Sequence, residues 1–266
     1  MSKTIFITGA SSGLGRAAAL MFAQRGWTVL ATMRNPSAAS EWGQIANVHV
    51  LALDVSDPKA IQTVVSKVVQ EYQVDVVLNN AGYGLAGPFE AVSEADLKRQ
   101  IDTNLLGVLR VTQAFIPYFR ERKEGVFIAV TSIGGHVGFP FNSVYHATKW
   151  ALEGWNESLA FELAPFGIRA KTVAPGGIAT DFAGRSITIT QHPAYDALTK
   201  KTMSAFAKNP DRSTAEQIAE VIWTAATDGK DTVHYMAGKD AIRLVKLRRF
   251  LGVPRFIKAV RKRFFG

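Results

Sequence analysis

The chain has 266 residues, 47% of them hydrophobic, and a net charge of +9. That is enough chain for one large domain with a full core, and the composition excludes a disordered or low-complexity protein. No cysteine is present, which excludes disulfides, thiolate metal sites and a thiol nucleophile together. The charge is uneven: residues 239–266 hold ten of the 31 Lys/Arg and one of the 22 acidic residues, which leaves 21 of each in residues 1–238. A neutral body with a basic appendage argues against a nucleic-acid-binding fold.

The first predicted strand, residues 4–8, begins next to Met1, and the expectation is a chain without a signal or transit peptide. No apolar run approaches the roughly 18 residues that a membrane span needs, and the expectation is a cytoplasmic protein. Thr8-Gly9-Ala10-Ser11-Ser12-Gly13-Leu14-Gly15 follows the strand and opens a helix over 16–25. A glycine-rich turn between a strand and a helix N-terminus lets backbone N–H groups approach a pyrophosphate, with the helix dipole aiding the anion. The second strand, 27–32, runs into Met33-Arg34-Asn35. In dinucleotide folds an acid at this place holds the ribose 2′-hydroxyl and selects NAD, whereas an arginine accommodates a 2′-phosphate. Arg34 is present and no acid is, which points to NADP.

A third strand, 48–53, ends at Asp54-Val55, where an adenine edge can be met. Ser56-Asp57-Pro58 starts a helix that continues to about residue 72. The fourth strand, 75–78, contains Val76-Val77-Leu78 without alternation, which suits burial on both faces of a parallel sheet. It closes in Asn79-Asn80-Ala81-Gly82. Ser93-Glu94-Ala95-Asp96 caps a long helix to about 122 that contains Asn104. Asparagine is unfavourable in mid-helix because its side chain competes for backbone bonds, so Asn104 calls for a local helix distortion or a bound water.

The fifth strand, 126–131, ends at Ser132, and the next helix, about 143–166, carries Tyr145 and Lys149 four positions apart on one face. A lysine ammonium beside a phenol favours the phenolate and lowers its pKa from ~10, which makes it useful for acid–base work. Alone, such a pair reads as an ordinary feature of a solvated helix. The five histidines (His49, His136, His146, His192, His234) show no metal-ligand spacing, and the expectation is no metal. His136 and His146 lie near enough to reach a pocket, with a solvated or capping role the simpler reading. A sixth strand, 169–174, precedes Pro175-Gly176-Gly177-Ile178-Ala179-Thr180. Residues 181–210 lose clear period and read as a lid. A capping box at Thr214–Gln217 starts one more helix, and 232–236 is the seventh strand.

Strands and helices alternate throughout, so the sheet should be parallel and doubly wound, with ligand at the carboxyl ends of its strands. Every motif singled out lies at such an end. That coincidence overrides the surface-pair reading of Tyr145 and Lys149.

Together these residues resemble the short-chain dehydrogenase/reductase family, from about residue 4 to 236. The family's T-G-x-x-x-G-x-G turn stands as Thr8 to Gly15, its acid-plus-hydrophobe as Asp54-Val55, and its N-N-A-G as Asn79 to Gly82. The helix asparagine matches Asn104, the serine Ser132, Y-x-x-x-K Tyr145 to Lys149, and P-G-x-x-x-T Pro175 to Thr180. The Thr32-Met33-Arg34 ending is similar to that of NADP-preferring steroid and retinol dehydrogenases. The resemblance implies a Rossmann-type, seven-stranded single domain over 1–238, with 239–266 a basic amphipathic extension. It implies hydride transfer between NADP(H) and a secondary alcohol or carbonyl. Tyr145 would protonate the substrate oxygen, Ser132 would fix it, Lys149 would bind the nicotinamide ribose and hold Tyr145 ionisable, and Asn104 would place a relay water. The implied cofactor contacts are Gly9, Ser11, Ser12, Gly13, Leu14, Gly15, Arg34, Asp54, Val55, Asn80, Ala81, Gly82, Tyr145, Lys149, Pro175, Gly176, Ile178 and Thr180.

Phe139, Phe141, Phe182 and Ile187 lie on loops expected around the site and favour an apolar substrate such as a steroid, retinoid or fatty carbonyl. The alternative is that they only pack the lid. Two other functions stay open: a non-catalytic nucleotide sensor, against which the intact Ser132/Tyr145/Lys149 set speaks, and an NAD-dependent dehydrogenase of a small polar alcohol. Leu105, Leu109, Trp150 and Trp155 exceed what one core-facing stripe requires, and the family pairs these helices, so a homodimer or homotetramer is expected. In the tail, Phe256, Ile257, Val260 and Phe264 follow helical spacing among basic residues, and Gly252 and Pro254 break the segment into two helices. That pattern suits anionic lipid. It suits equally an apolar face that covers the lid or a neighbouring subunit, and this reading is preferred because no second membrane anchor is evident.

Overall fold

The computed structural model describes residues 2–37, 42, 44–179, 187–207 and 209–266. Seven strands form one parallel sheet: β1 (Thr4–Ile7), β2 (Thr28–Met33), β3 (Val48–Ala52), β4 (Val76–Asn79), β6 (Gly125–Val130), β7 (Ile168–Pro175) and β9 (His234–Ala237), in the order β3-β2-β1-β4-β6-β7-β9. Every pair is parallel. Strand order reverses between β1 and β4, and in such sheets the crevice outside the strand ends at that reversal is the ligand site. The glycine-rich turn leaves β1 there and Asn79-Asn80 leaves β4 there.

Both sheet faces are covered, as the apolar strands require. On one side α1 (Gly13–Gln24) packs on β1 and β2 and α7 (Ala215–Thr227) on β6, β7 and β9, and the two helices meet through Phe22, Ile218 and Ile222. The Phe22, Trp27 and Trp223 rings meet there with centroids 4.9–5.6 Å apart. On the other side lie α2 (Pro58–Glu71), α4 (Gly107–Arg122) and α5 (Ser143–Leu163), with Phe115, Phe119, Leu159 and Leu163 against Phe6 and Phe127. Burying each such side chain stabilises the fold by about 1.5–3 kcal/mol.

Several elements differ from the sequence expectations. The helix expected over 93–122 is three segments: α3 (Glu94–Ile101), a π-helical turn (Asp102–Leu106) and α4. Asn104 sits inside the π turn, which is the distortion its mid-helix position called for. Two three-residue strands, β5 (Gly84–Ala86) and β8 (Ile187–Ile189), pair in parallel outside the main sheet; they are too short for alternation to register. Within the expected lid lies α6 (Asp196–Ala207). Its inward stripe is Thr199, Thr202, Met203 and Phe206, half of it threonine, so hydrophobic periodicity alone does not reveal it. Thr180 and Phe182 lie outside the described residues.

The tail forms α8 (Lys239–Phe265), kinked at Gly252, whose φ of 70° and ψ of 163° interrupt the helix. One side of it packs on the molecule. Ala241, Val245 and Phe256 pack on Ile133 and Val137, and Phe264 meets the rings of Phe139 and Phe206.

Candidate active site

Threonine and asparagine side chains tie the two loops of the crevice together. Thr8 Oγ1 accepts from the backbone N–H groups of Asn80 and Ala81, each at 3.0 Å. In return Asn80 Nδ2 donates to the carbonyls of Thr8 (3.0 Å) and Gly9 (2.9 Å). Gly9 has φ +67°, and a Cβ there would come within 2.7 Å of Ala81 Cα, so only glycine closes this contact. Gly13 has φ +54° with nothing within 4 Å of the position a Cβ would take, which leaves open space over the turn. Ser12 caps α1 without a side-chain hydrogen bond, so the first N–H groups of the helix keep no side-chain acceptor at their cap. Open space in front of an uncapped helix N-terminus fits a pyrophosphate.

At the rim, Arg34 is exposed at the end of β2. Asp54 accepts from Ser56 N (2.9 Å) and Ser56 Oγ (2.7 Å), and Val55 is buried against Gly107. On the far side, Gly176 N donates to Ala237 O, and Gly177 N donates to Asp240 Oδ2 at 2.8 Å. Asp240, buried in the first turn of α8, also accepts from Ala241 N and Asn209 Nδ2. A Cβ at Gly176 would collide with its carboxylate. The Pro175–Ile178 turn is thus held by a tail residue that the sequence reading left among the basic appendage.

Asn104, with no exposed surface, clamps the loop after β4. Its Oδ1 accepts from Tyr83 N at 3.0 Å and its Nδ2 donates to Tyr83 O at 2.8 Å. The π turn that makes this reach possible is a form that recurs at functional sites.

Ser132 leaves β6 and caps a 3-10 turn, its Oγ accepting from Gly134 N at 3.0 Å. It faces Tyr145: burial pushes the phenol pKa up, and the hydrogen bond with Ser132 draws it back. The Lys149 ammonium lies 5.7 Å from the Tyr145 ring centre and donates to Val130 O at 2.8 Å. Lys149 is not among the groups that lower the phenol here, contrary to the expectation from sequence. Its ammonium is fixed on the Val130 carbonyl, and burial brings its own pKa down to about 8, against a smaller upward pull from Glu153, so it is already neutral where the phenol, raised above 10, would ionise. His146, buried behind the pair, bonds through Nδ1 to Gly134 O at 2.6 Å and accepts from Phe139 N through Nε2. Burial holds its pKa below 6.5, so it works as a neutral clamp on the Ser132 loop.

The sequence reading missed Glu153, one turn beyond Lys149. Its buried carboxylate accepts from Thr172 Oγ1 (2.9 Å), lies 2.8 Å from His234 Nδ1 and sits 3.2 Å from His136 Nε2. Burial would raise its pKa, but His136, His234 and Thr131 outweigh burial and bring it to about 2. His234 also reaches Glu157 at 2.8 Å, and its pKa is raised chiefly by Glu153. The signal was visible: Tyr145, Lys149 and Glu153 stand at i, i+4 and i+8 on one helical face.

Phe139 and Phe141 shape the mouth of this cleft. Phe141 holds a left-handed φ of 60°, uncommon for a bulky residue, and its carbonyl accepts from Gly87 N at 2.8 Å. The rings of Tyr195 and Phe265 pack on it.

The sequence model of the family described as short chain dehydrogenase matches residues 3–189. The chain belongs to the short-chain dehydrogenase/reductase family. It is an oxidoreductase of a family that binds a nicotinamide cofactor and acts on CH–OH groups. Human 17-beta-hydroxysteroid dehydrogenase type 1 is 33% identical, over all of this chain and 87% of the relative. Bovine retinol dehydrogenase 8 is 34% identical over 77% of this chain and 68% of the relative. Among solved structures, a short-chain dehydrogenase from Streptomyces avermitilis superposes with a TM-score of 0.86 at 32% identity, covering 98% of both chains. ElxO with NADP bound gives 0.76 at 26% identity, covering 91% of this chain and 100% of that one.

Proposed function

We propose that this enzyme transfers hydride between NADP(H) and an apolar secondary alcohol or carbonyl compound, with Tyr145, Ser132, Lys149 and Asn104 as its working side chains. The observation that carries the reading is convergence: the Ser132–Tyr145–Lys149 group and the glycine-rich turn lie along the strand ends of one sheet. When bound, the nicotinamide supplies or accepts the hydride. Ser132 then holds the substrate oxygen against the Tyr145 hydroxyl, which donates its proton as the carbonyl is reduced. Lys149, anchored on Val130 O, places its ammonium beside the phenol. Both polar ends of the Asn104 side chain are engaged by Tyr83, so its part is to hold the loop after β4.

NADP rather than NAD follows from exposed Arg34 at the β2 end, where no acid stands; the bound NADP of ElxO supports it. An apolar substrate follows from Phe139 and Phe141 at the mouth and from the steroid and retinol names of the relatives. The assay is oxidation of NADPH and NADH against a panel of steroid, retinoid, fatty and small polar carbonyls. Equal efficiency with both cofactors, or an Arg34→Asp variant with unchanged preference, would remove the NADP reading. Turnover confined to small polar carbonyls would remove the substrate reading.

The same reading includes a homo-oligomer built on α4 and α5. Phe161 on α5 is 81% exposed, and a cavity of about 420 Å3 lies between α3 and the start of α5, lined by Phe89, Leu97, Ile101, Leu105, Val144 and Ala147. Light scattering at micromolar concentration tests it; a monomeric mass would count against it.

A further inference from the structure

The first half of α8 has two opposite faces. At about 100° per residue, Ala241, Leu244, Val245, Arg248 and Leu251 fall in one arc, and these are the buried or half-buried residues. Arg248 completes that side, donating to His136 O and lying 4.9 Å from the Trp150 ring centre. The opposite arc holds Ile242, Arg243, Lys246, Leu247, Arg249 and Phe250, all exposed, with Phe250 85% exposed and Arg243 paired with Asp211 at 2.6 Å. Past the kink, Val253 and Ile257 are also exposed, beside Arg255, Lys258 and Arg261. Among the described residues, no carboxylate lies within ion-pair distance of Lys246, Arg249, Arg255, Lys258 or Arg261. Of the four second-helix residues singled out in the sequence, Phe256 and Phe264 are buried on the molecule and Val260 is half-buried, whereas Ile257 faces outward.

We propose that this outer face of α8 is a docking surface for an anionic lipid bilayer. Its chemistry is that of an interfacial helix: large apolar side chains sink into the headgroup–acyl boundary while basic side chains meet anionic headgroups. A second copy of the chain is a poor occupant. A two-fold contact would set this face against itself and bring unpaired lysines and arginines together. Nucleic acid suits the charges but not Ile242, Leu247 and Val253 between them. The inner face already holds α8 to the body, through Asp240 on Gly177 and Phe264 on Phe139. Docking therefore needs no refolding, and it brings the loops at the cleft mouth close to the membrane.

The test uses the full-length protein in cosedimentation with phosphatidylcholine vesicles, with and without about 30% phosphatidylserine, at low and high salt. Binding is expected only with the anionic lipid and should fall with salt. Phe250→Glu should lower the affinity at least tenfold, and Lys246→Glu with Arg249→Glu by roughly fivefold or more for each charge withdrawn. Unchanged NADPH-dependent turnover of each variant in vesicle-free buffer would show that it folds. Any of four outcomes overturns the proposal: no sedimentation with anionic vesicles, equal sedimentation with neutral ones, unchanged binding by the variants, or binding of labelled single-stranded DNA without binding of vesicles. A dimer that Phe250→Glu dissociates would also overturn it and assign the face to a second copy.

Discussion

Glu153→Gln tests the buried network behind the catalytic helix. The wild-type carboxyl falls from 4.5 to about 2 in the fold, which corresponds to roughly 3 kcal/mol at pH 7, to order of magnitude. Glutamine keeps the shape and an acceptor for Thr172 but removes the charge that His136 and His234 face. In a chain of this size about 3 kcal/mol lowers the melting temperature by roughly 6–12 °C. The sign with pH is fixed by the direction of the shift. Because the folded value lies below the unfolded one, the stability from Glu153 is present above 4.5 and is lost as pH falls through about 2. The gap between wild type and variant should therefore shrink to about half by pH 3. On the alkaline side the share of His234, raised above 6.5, is present below 6.5 and fades as pH rises past its raised value. Thermal and urea unfolding of both proteins from pH 3 to 9 reads this directly. Equal stability at pH 7, or a gap that does not change down to pH 3, would refute the assignment.

Lys149, brought to about 8 by burial, should lose its ammonium above that value, so kcat/KM for carbonyl reduction should fall as pH rises through about 8. A profile flat to pH 9.5 would show that the charge on Lys149 is not needed. In Glu153→Gln the same limb should move to lower pH, because Glu153 supports the ammonium. Asp240→Ala leaves Gly177 N and Asn209 Nδ2 without their acceptor and should destabilise the protein by about 2 kcal/mol, while raising KM for NADPH more than it lowers kcat. Unchanged unfolding and unchanged KM would show that the carboxylate does not hold the Pro175–Ile178 turn.

Much of the fold was legible because its signals are local. Val76-Val77-Leu78 announces a strand buried on both faces, and Thr214 with Gln217 forms the capping box that the sequence spells out. The lone Asn104 required a helix distortion, and the π turn is that distortion. What stayed hidden is settled by contacts distant in sequence. Asp240 reads as the one acid in a basic tail, and only the fold brings it 2.8 Å from Gly177 N. His234 joins Glu153 across 81 residues, a pairing no spacing announces. The tail pattern at Phe256, Ile257, Val260 and Phe264 correctly marked a helix, but periodicity cannot say what a face packs on. Phe139 on its loop and Phe206 on α6, both far away in sequence, supply the answer for Phe264.

The most direct test of the proposed chemistry is Tyr145→Phe, measured once for turnover and once for NADPH binding by fluorescence. Phenylalanine keeps the ring that packs beside Lys149 and removes only the hydroxyl that faces Ser132. The account predicts a loss of turnover of order 10²-fold or greater, with NADPH affinity almost unchanged. A variant that keeps more than a few per cent of the wild-type rate would contradict the assignment of Tyr145 as the proton donor.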